Sequence, residues 1–360
     1  MTFKQNNENW IIIGNSVKGA SHIRSGKPNQ DRIKFHNNNS TKFPIIVAIS
    51  DGHGGKPYFR SGTGAQLAVE SAIEIGKCLT EVSFDTIKDK KNIDWICRDI
   101  VKKWLEKVNQ DLQISPFNEE ETSLLITKKE SGTKRPVGPN NNDSIIAYGS
   151  TLIAAFILDS YILFLQLGDG DVMIASNDGV ICKPIPKDSR LIGVETTSLC
   201  LPEAWTDFRF YHIPLNDTNP PALIILSTDG YGNSYSSEHE FEKIGIDLLE
   251  IICEHPDGIH AGIDSINSNL NDWLNVASEK GSGDDITVGI ICNMDQIEVY
   301  RDTAYSLKKQ KNLEEENPKE KSSLDKEEIL PSEIPINPDN ASKDIAEKTS
   351  ESSDSIIDQL

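Results

Sequence analysis

Four segments of this chain set an aspartate beside glycine next to an apolar run. Ile45-Ile46-Val47-Ala48-Ile49-Ser50 runs into Asp51-Gly52-His53-Gly54-Gly55, and Leu163-Phe164-Leu165-Gln166-Leu167-Gly168 runs into Asp169-Gly170-Asp171. Leu223-Ile224-Ile225-Leu226-Ser227-Thr228 runs into Asp229-Gly230, and Gly281-Ser282-Gly283 precedes Asp284-Asp285, which opens a further run. Asp-Gly pairs commonly mark turns, and Asn177-Asp178-Gly179 is of that kind, because strand patterns resume at once on both sides. In the other four, glycine lets carboxylates and backbone carbonyls crowd one point. Carboxylates gathered there repel one another unless a cation lies between them. All-oxygen donors suit Mg²⁺ or Mn²⁺ rather than zinc.

The elements that must position these groups follow from hydrophobic patterning. Strands are expected over Trp10–Val17, Asp31–Phe35, Pro44–Ile49, Gly149–Leu158, Tyr161–Leu167, Val172–Ser176, Val180–Lys183, Phe208–Ile213, Ala222–Leu226 and Asp285–Cys292. Helices are expected over Thr63–Leu79, Asn92–Leu112, Glu238–Cys253 and Gly258–Val276. Asp159-Ser160 and Asn177-Asp178-Gly179 are links too short for a parallel crossover, so their strands pair antiparallel. Strands and helices that segregate in this way indicate an α+β fold with antiparallel sheets and disfavour a doubly wound nucleotide fold.

The chain carries 36 Lys and Arg against 56 Asp and Glu, a formal charge of −20, which opposes nucleic-acid binding and attraction to an anionic membrane. No apolar run is long enough to span a bilayer. The N-terminal residues lack the apolar core of a signal peptide, and the six scattered cysteines form no C-x-x-C pair, so a reducing cytoplasm is the expected location. The organisation reads as a lead over 1–9, a catalytic domain over 10–294 with a surface loop over 115–143, and an acidic tail over 295–360. The tail has too few large apolar residues to offset its ordering entropy and is expected to be disordered.

With these segments in order, the sequence resembles the metal-dependent type 2C serine/threonine protein phosphatases. The motifs are Gly14-Asn15-Ser16, Ser21-His22, Gly26-Lys27-Pro28-Asn29-Gln30-Asp31, Ser50-Asp51-Gly52-His53-Gly54-Gly55, Gly149-Ser150-Thr151, Leu167-Gly168-Asp169, Ser227-Thr228-Asp229-Gly230 and Gly283-Asp284-Asp285-Ile286-Thr287-Val288. The opening G-x-S…H…G-x-P-x-Q-D pattern is similar to that of divergent bacterial members. The resemblance covers roughly residues 10–294 and implies a central sandwich of two antiparallel β-sheets flanked by helix pairs. It implies two Mg²⁺ or Mn²⁺ ions that activate a water for attack on phosphoserine or phosphothreonine, with no covalent intermediate. Asp51 matches the carboxylate shared by both ions, Gly52 a carbonyl ligand, Asp31 a supporting carboxylate, and Asp229 and Asp284 the ligands of the second ion. Asp169 matches, with Asp229, a weaker third site, and His53 matches a general acid toward the leaving oxygen.

Three departures accompany the resemblance. Gln30 stands where most relatives have Glu. The usual phosphate-binding Arg aligns near Gly26, leaving His22 and Arg24, or Lys27, as stand-ins. Asn233 occupies a position where many relatives carry Asp, which weakens the case for a third ion. The implied partners are phosphorylated proteins and an opposing serine/threonine kinase. The competing reading is a catalytically weak or silent relative that binds phosphoproteins as a regulator.

Overall fold

Alternating apolar positions build this molecule as four layers. A computed structural model describes residues 3–6, 9–37, 43–126, 144–188, 190, 196–215 and 219–304. Those residues belong to one compact unit, 1–309, while a second unit, 310–360, lies outside them. Most of the expected surface loop (127–143) and the expected disordered tail from 305 onward likewise fall outside the described residues.

The described strands are β1 (Phe3–Asn6), β2 (Trp10–Val17), β3 (Arg32–Asn37), β4 (Ile45–Ser50), β5 (Leu152–Ile157), β6 (Tyr161–Leu167), β7 (Asp171–Ala175), β8 (Ile181–Cys182), β9 (Arg209–Pro214), β10 (Leu223–Ser227) and β11 (Ile286–Asn293). One sheet has the order β1-β2-β11-β10-β7-β8 and the other β3-β4-β5-β6-β9. Every pairing is antiparallel. The helices are α1 (Ala20–Ser25), α2 (Ser61–Lys77), α3 (Phe84–Ile87), α4 (Lys90–Ile114), α5 (Glu119–Ile126), α6 (Asp229–Gly232), α7 (Glu238–Cys253) and α8 (Ile259–Lys280). Residues 294–304 are also helical.

The period-two alternation of a strand divides the core. In β4, Ile45, Val47 and Ile49 face the other sheet, together with Ile12, Phe164, Leu226 and Ile291. Its intervening residues Ile46 and Ala48 pack outward against α2 and α4 through Ala68, Ala72, Ile100 and Trp104. In β11, Ile286, Val288 and Ile290 pack outward against Phe241 and Leu249 of α7 and Ile263, Ile266 and Leu270 of α8. The expected α+β sandwich flanked by helix pairs is therefore the observed fold. Asp89 and Ser237 cap α4 and α7 by accepting from Lys91 N and Glu240 N.

Sequence patterning missed α1, α3, α5, α6 and the helical residues 294–304. α1 is too short to show a periodicity, and its first turn is held from outside: Ser21 N donates to Gly283 O at 2.8 Å and Ala20 N to Ser278 Oγ at 3.0 Å. α5 lies in the segment read as loop, and the turn 294–304 in the segment read as tail. α5 is acidic and gains its place from Arg60, which pairs with Glu121 at 2.9 Å.

Close packing of α2 against the turn 146–148 and α4 depends on Gly64. A Cβ there would overlap the Tyr148 carbonyl, and the Trp104 indole donates to Gly64 O at 3.0 Å. Gly64→Ala is expected to cost about 3 kcal/mol, read as a lowered urea midpoint at an unchanged slope.

Candidate functional site

Strand register brings the predicted aspartates to one end of the sandwich. Arg32 pairs with Ser50, so Asp31 and Asp51 leave their strands side by side. Ser227 pairs with both Val288 and Asp171, and Val17 pairs with Ile286. Asp229, the Asp284 loop and the Gly19 turn therefore share that end. Leu152 pairs with Leu167, which adds Thr151 and the Gly168–Asp169 turn.

Fixed donors aim these groups. Asp51 N donates to Thr151 Oγ1 at 3.0 Å, and Thr151 N returns a bond to Asp51 O at 2.8 Å. Thr228 Oγ1 donates to Asp31 Oδ2 at 2.7 Å, linking the two sheets. Gly52 bridges to Ser150, and a Cβ on it would come within 2.8 Å of Gln30 O and the Ser61 backbone, so glycine is required by space. Gly168 has φ +106°, a left-handed conformation that turns Asp169 into a recess of about 230 Å³ shared with Gln166, Asp171, Arg209, Asp229 and Asn233.

The electrostatics set this end apart. Burial, with the nearby Asp285 charge, pushes Asp31 up to about 8. Burial, reinforced by Asp31 and Asp229, holds Asp51 well above the carboxylate range. Burial and Asp169 push Asp229 up to about 6, and Asp51 and Asp229 share a side-chain hydrogen bond. Asp169 reaches solvent, yet its recess also raises its carboxyl. Among the described residues, no Lys or Arg forms an ion pair with Asp31, Asp51 or Asp229, whereas buried Asp188 is paired to Arg190 at 2.6 Å and held down at about 2. The buried Oδ1 of Asp31 has no hydrogen-bond partner. Such a donor set, all oxygen, over-charged and partly unsatisfied, fits a hard divalent cation. As arranged, no group of three or more His, Cys, Asp or Glu among the described residues is gathered closely enough to hold an ion.

The remaining predicted residues are placed unevenly. Asp284 is half exposed on the loop that follows Gly283. His53 lies against the edge of Tyr58, with ring centroids 4.9 Å apart, and burial lowers its imidazole to about 4. The resting ring is therefore neutral near pH 7, not the imidazolium that a proton donor needs. His22 is 8% exposed, with Nδ1 2.9 Å from Asp285 Oδ1 and Nε2 3.9 Å from Asp284 Oδ1. Arg24 is exposed, with a guanidinium nitrogen 3.9 Å from a Cβ built on Gly283. Lys27, also exposed, donates to Gly54 O at 3.2 Å.

Asp285 is the residue whose importance the spacing understated. It is 3% exposed and accepts from Gly19 N and Gln30 N, each at 2.6 Å, while His22 stands against it. It thus ties the opening segment to the Asp284 loop. In the sequence it is the second acid of Asp284-Asp285. Arg209 is a second such residue, donating to Gly168 O at 2.8 Å behind Asp169.

A family model described as protein phosphatase 2C matches residues 18–275. The chain belongs to this family. It is a protein of the phosphatase 2C type. Among solved structures, a C. elegans sex determining protein is similar at 16% identity over 83% of this chain and 68% of that one, with a TM-score of 0.50. The serine/threonine phosphatase of Staphylococcus aureus is similar at 12% identity over 81% and 97%, with a TM-score of 0.48. The catalytic domain of the serine/threonine protein phosphatase PstP, in complex with two manganese ions, is similar at 14% identity over 79% and 98%, with a TM-score of 0.44. No curated protein matches the sequence. No helix among the described residues is long and apolar enough to cross a membrane.

The raised carboxyls make the metal-free phosphatase pH-sensitive. With Asp229 near 6 and Asp31 near 8, the folded state holds protons that the unfolded chain, titrating near 4, releases. Stability in EDTA should therefore fall as pH rises from about 4 to about 8, and Asp31→Asn should flatten the upper part of that fall, both read as melting temperature against pH.

Proposed function

We propose that the protein is an active phosphoserine/phosphothreonine phosphatase that uses two divalent cations, Mg²⁺ or Mn²⁺, and opposes a serine/threonine kinase. The observation that carries this reading is the cationless cluster of raised carboxyls, Asp31, Asp51 and Asp229, at the end of the sandwich where Asp284 also emerges. Asp51 would serve both ions, the Gly52 carbonyl would complete one of them, Asp31 would be a supporting carboxylate, and Asp229 with Asp284 would hold the second ion. Bound there, the cations supply Lewis acidity to the phosphoryl oxygens and lower the pKa of a water.

The chain's own residues do the rest. Thr228 donates to the Asp31 carboxylate, Thr151 accepts from the Asp51 backbone N–H, and Ser50 donates to the Thr151 carbonyl, none of them adding charge. Arg24 and Lys27, on opposite flanks of α1 and its following turn, are the exposed cations set to meet the substrate phosphate in place of the absent arginine. His53 acts on the leaving oxygen. In its neutral form it donates a hydrogen bond, and a phosphate dianion beside it raises its basicity toward full proton transfer. Asn233 Nδ2 donates to Asp229 Oδ2 at 3.0 Å, which covers the carboxylate edge that a third ion at Asp169 would use. That contact favours two ions over three.

Hydrolysis of a phosphopeptide should require Mn²⁺ or Mg²⁺ and stop in EDTA. Asp51→Asn and Asp284→Asn should each lower kcat at least about 100-fold while leaving the circular dichroism spectrum unchanged. Folded protein without metal-dependent turnover would support the phosphoprotein-binding alternative instead. His53→Ala should cost about 100-fold or more on an alkyl phosphate and far less on p-nitrophenyl phosphate, whose leaving group needs no proton.

A further inference from the structure

We infer that Gln30 is a positioning residue for His53, and that an amide, not the carboxylate usual in relatives, is what this site requires. Gln30 is 9% exposed and touches three separate parts of the site. Its backbone N donates to Asp285 Oδ2 at 2.6 Å. Its side-chain Nε2 donates to Ser61 Oγ at 2.6 Å and to His53 O at 3.3 Å. Ser61 is fully buried and begins the 17-residue helix α2, a rigid element. The amide therefore braces the His53 loop against the helix and against the Asp285 hub.

The chemistry of the acceptors decides the residue type. A backbone carbonyl can only accept, so whatever faces His53 O must donate. A carboxylate at this position would set oxygen against oxygen and add a charge beside Asp31 and Asp285 in a pocket already over-charged. The Oε1 of Gln30 is buried without a partner, so Nε2 alone fixes the amide's orientation. The loop has other holds, the Tyr58 ring against the imidazole among them. His53 N donates to Gly149 O at 3.1 Å from behind, and Lys27 reaches Gly54 O from solvent. Gln30 is the buried polar side chain that closes the loop from the side of the metal-binding segment.

This inference rests on the phosphatase reading for its catalytic readout, and a second readout is independent of it. Gln30→Glu and the isosteric Gln30→Met would be compared with wild type and placed in a double-mutant cycle with His53→Ala. The expected result is a fall in kcat of about 10-fold or more for either Gln30 variant, with KM within about 2-fold. The loss should be greater on an alkyl phosphate than on p-nitrophenyl phosphate, and Gln30→Met should add nothing once His53 is already alanine. Amide hydrogen exchange in the metal-free protein should quicken at His53 in both single variants. Wild-type kcat in Gln30→Glu, or additive losses in the cycle, would overturn the inference. Should wild type itself show no turnover, the phosphatase reading falls, and the exchange rate at His53 decides alone: quickened exchange supports the brace and unchanged exchange refutes it.

Discussion

Like charge without water is the constraint to which the rest of the molecule answers. Asp31, Asp51 and Asp229 are drawn out of solvent and toward one another, and each carboxyl rises in consequence. Two things relieve such a cluster: protons, or a cation of higher charge density. Elsewhere the protein uses a third relief, the ion pair. Glu121 meets Arg60, Asp171 meets Lys183, and Asp188 meets Arg190. Here, among the described residues, it does not: the Thr228 hydroxyl donates to Asp31, and the Thr151 hydroxyl accepts from the Asp51 backbone N–H. A neutral donor aims a carboxylate while leaving its charge uncompensated, unlike the ion pairs elsewhere in the fold.

Holding repelling groups together takes a scaffold that does not yield. Antiparallel register does this with few degrees of freedom, because a slip of one residue would turn every core side chain to the wrong face. Ile45, Val47 and Ile49 on one side of β4, and Ile46 and Ala48 on the other, fix where Asp51 must emerge. The same logic applied to β10 and β11 fixes Asp229 and Asp284. The two sheets are then joined across the site itself, by Thr228 to Asp31 and by Asp285 to Gln30. The site is thus part of the packing between the sheets, and a loss of hydrophobic register would be felt there first.

Much of this was legible in the residues. Long apolar runs such as Tyr161–Leu167 and Glu238–Cys253 coincide with their elements, because core strands and amphipathic helices write their period directly into the sequence. The convergence of the Asp-Gly turns was legible for a similar reason, since each follows or opens a buried strand. What could not be read were features set by tertiary contact. α1 has no periodicity and exists because Ser278 and Gly283 hold its first turn. His22 looked like an available cation, but its orientation is decided by Asp285, distant in sequence. The protonation of His53 follows from desolvation, a property of the folded surroundings, so residue type alone suggested a charged acid where the resting ring is neutral.

The departures from the family pattern share one physical sense. At Gln30 and at Asn233 an amide stands where the resemblance leads one to expect an acid. Each amide donates to an oxygen that a carboxylate would repel: Gln30 to the His53 carbonyl, Asn233 to Asp229. Two negative charges are thereby removed from the margin of a pocket whose central carboxyls are already raised by burial and by one another. Less repulsion means a smaller penalty for folding without metal, and also a weaker pull on a cation there. The exchange of acid for amide shifts this member of the family from a site assembled by metal charge toward one braced in advance by hydrogen bonds. Gln30 joins helix, hub and His53 loop at the point where that bracing reaches the reacting group.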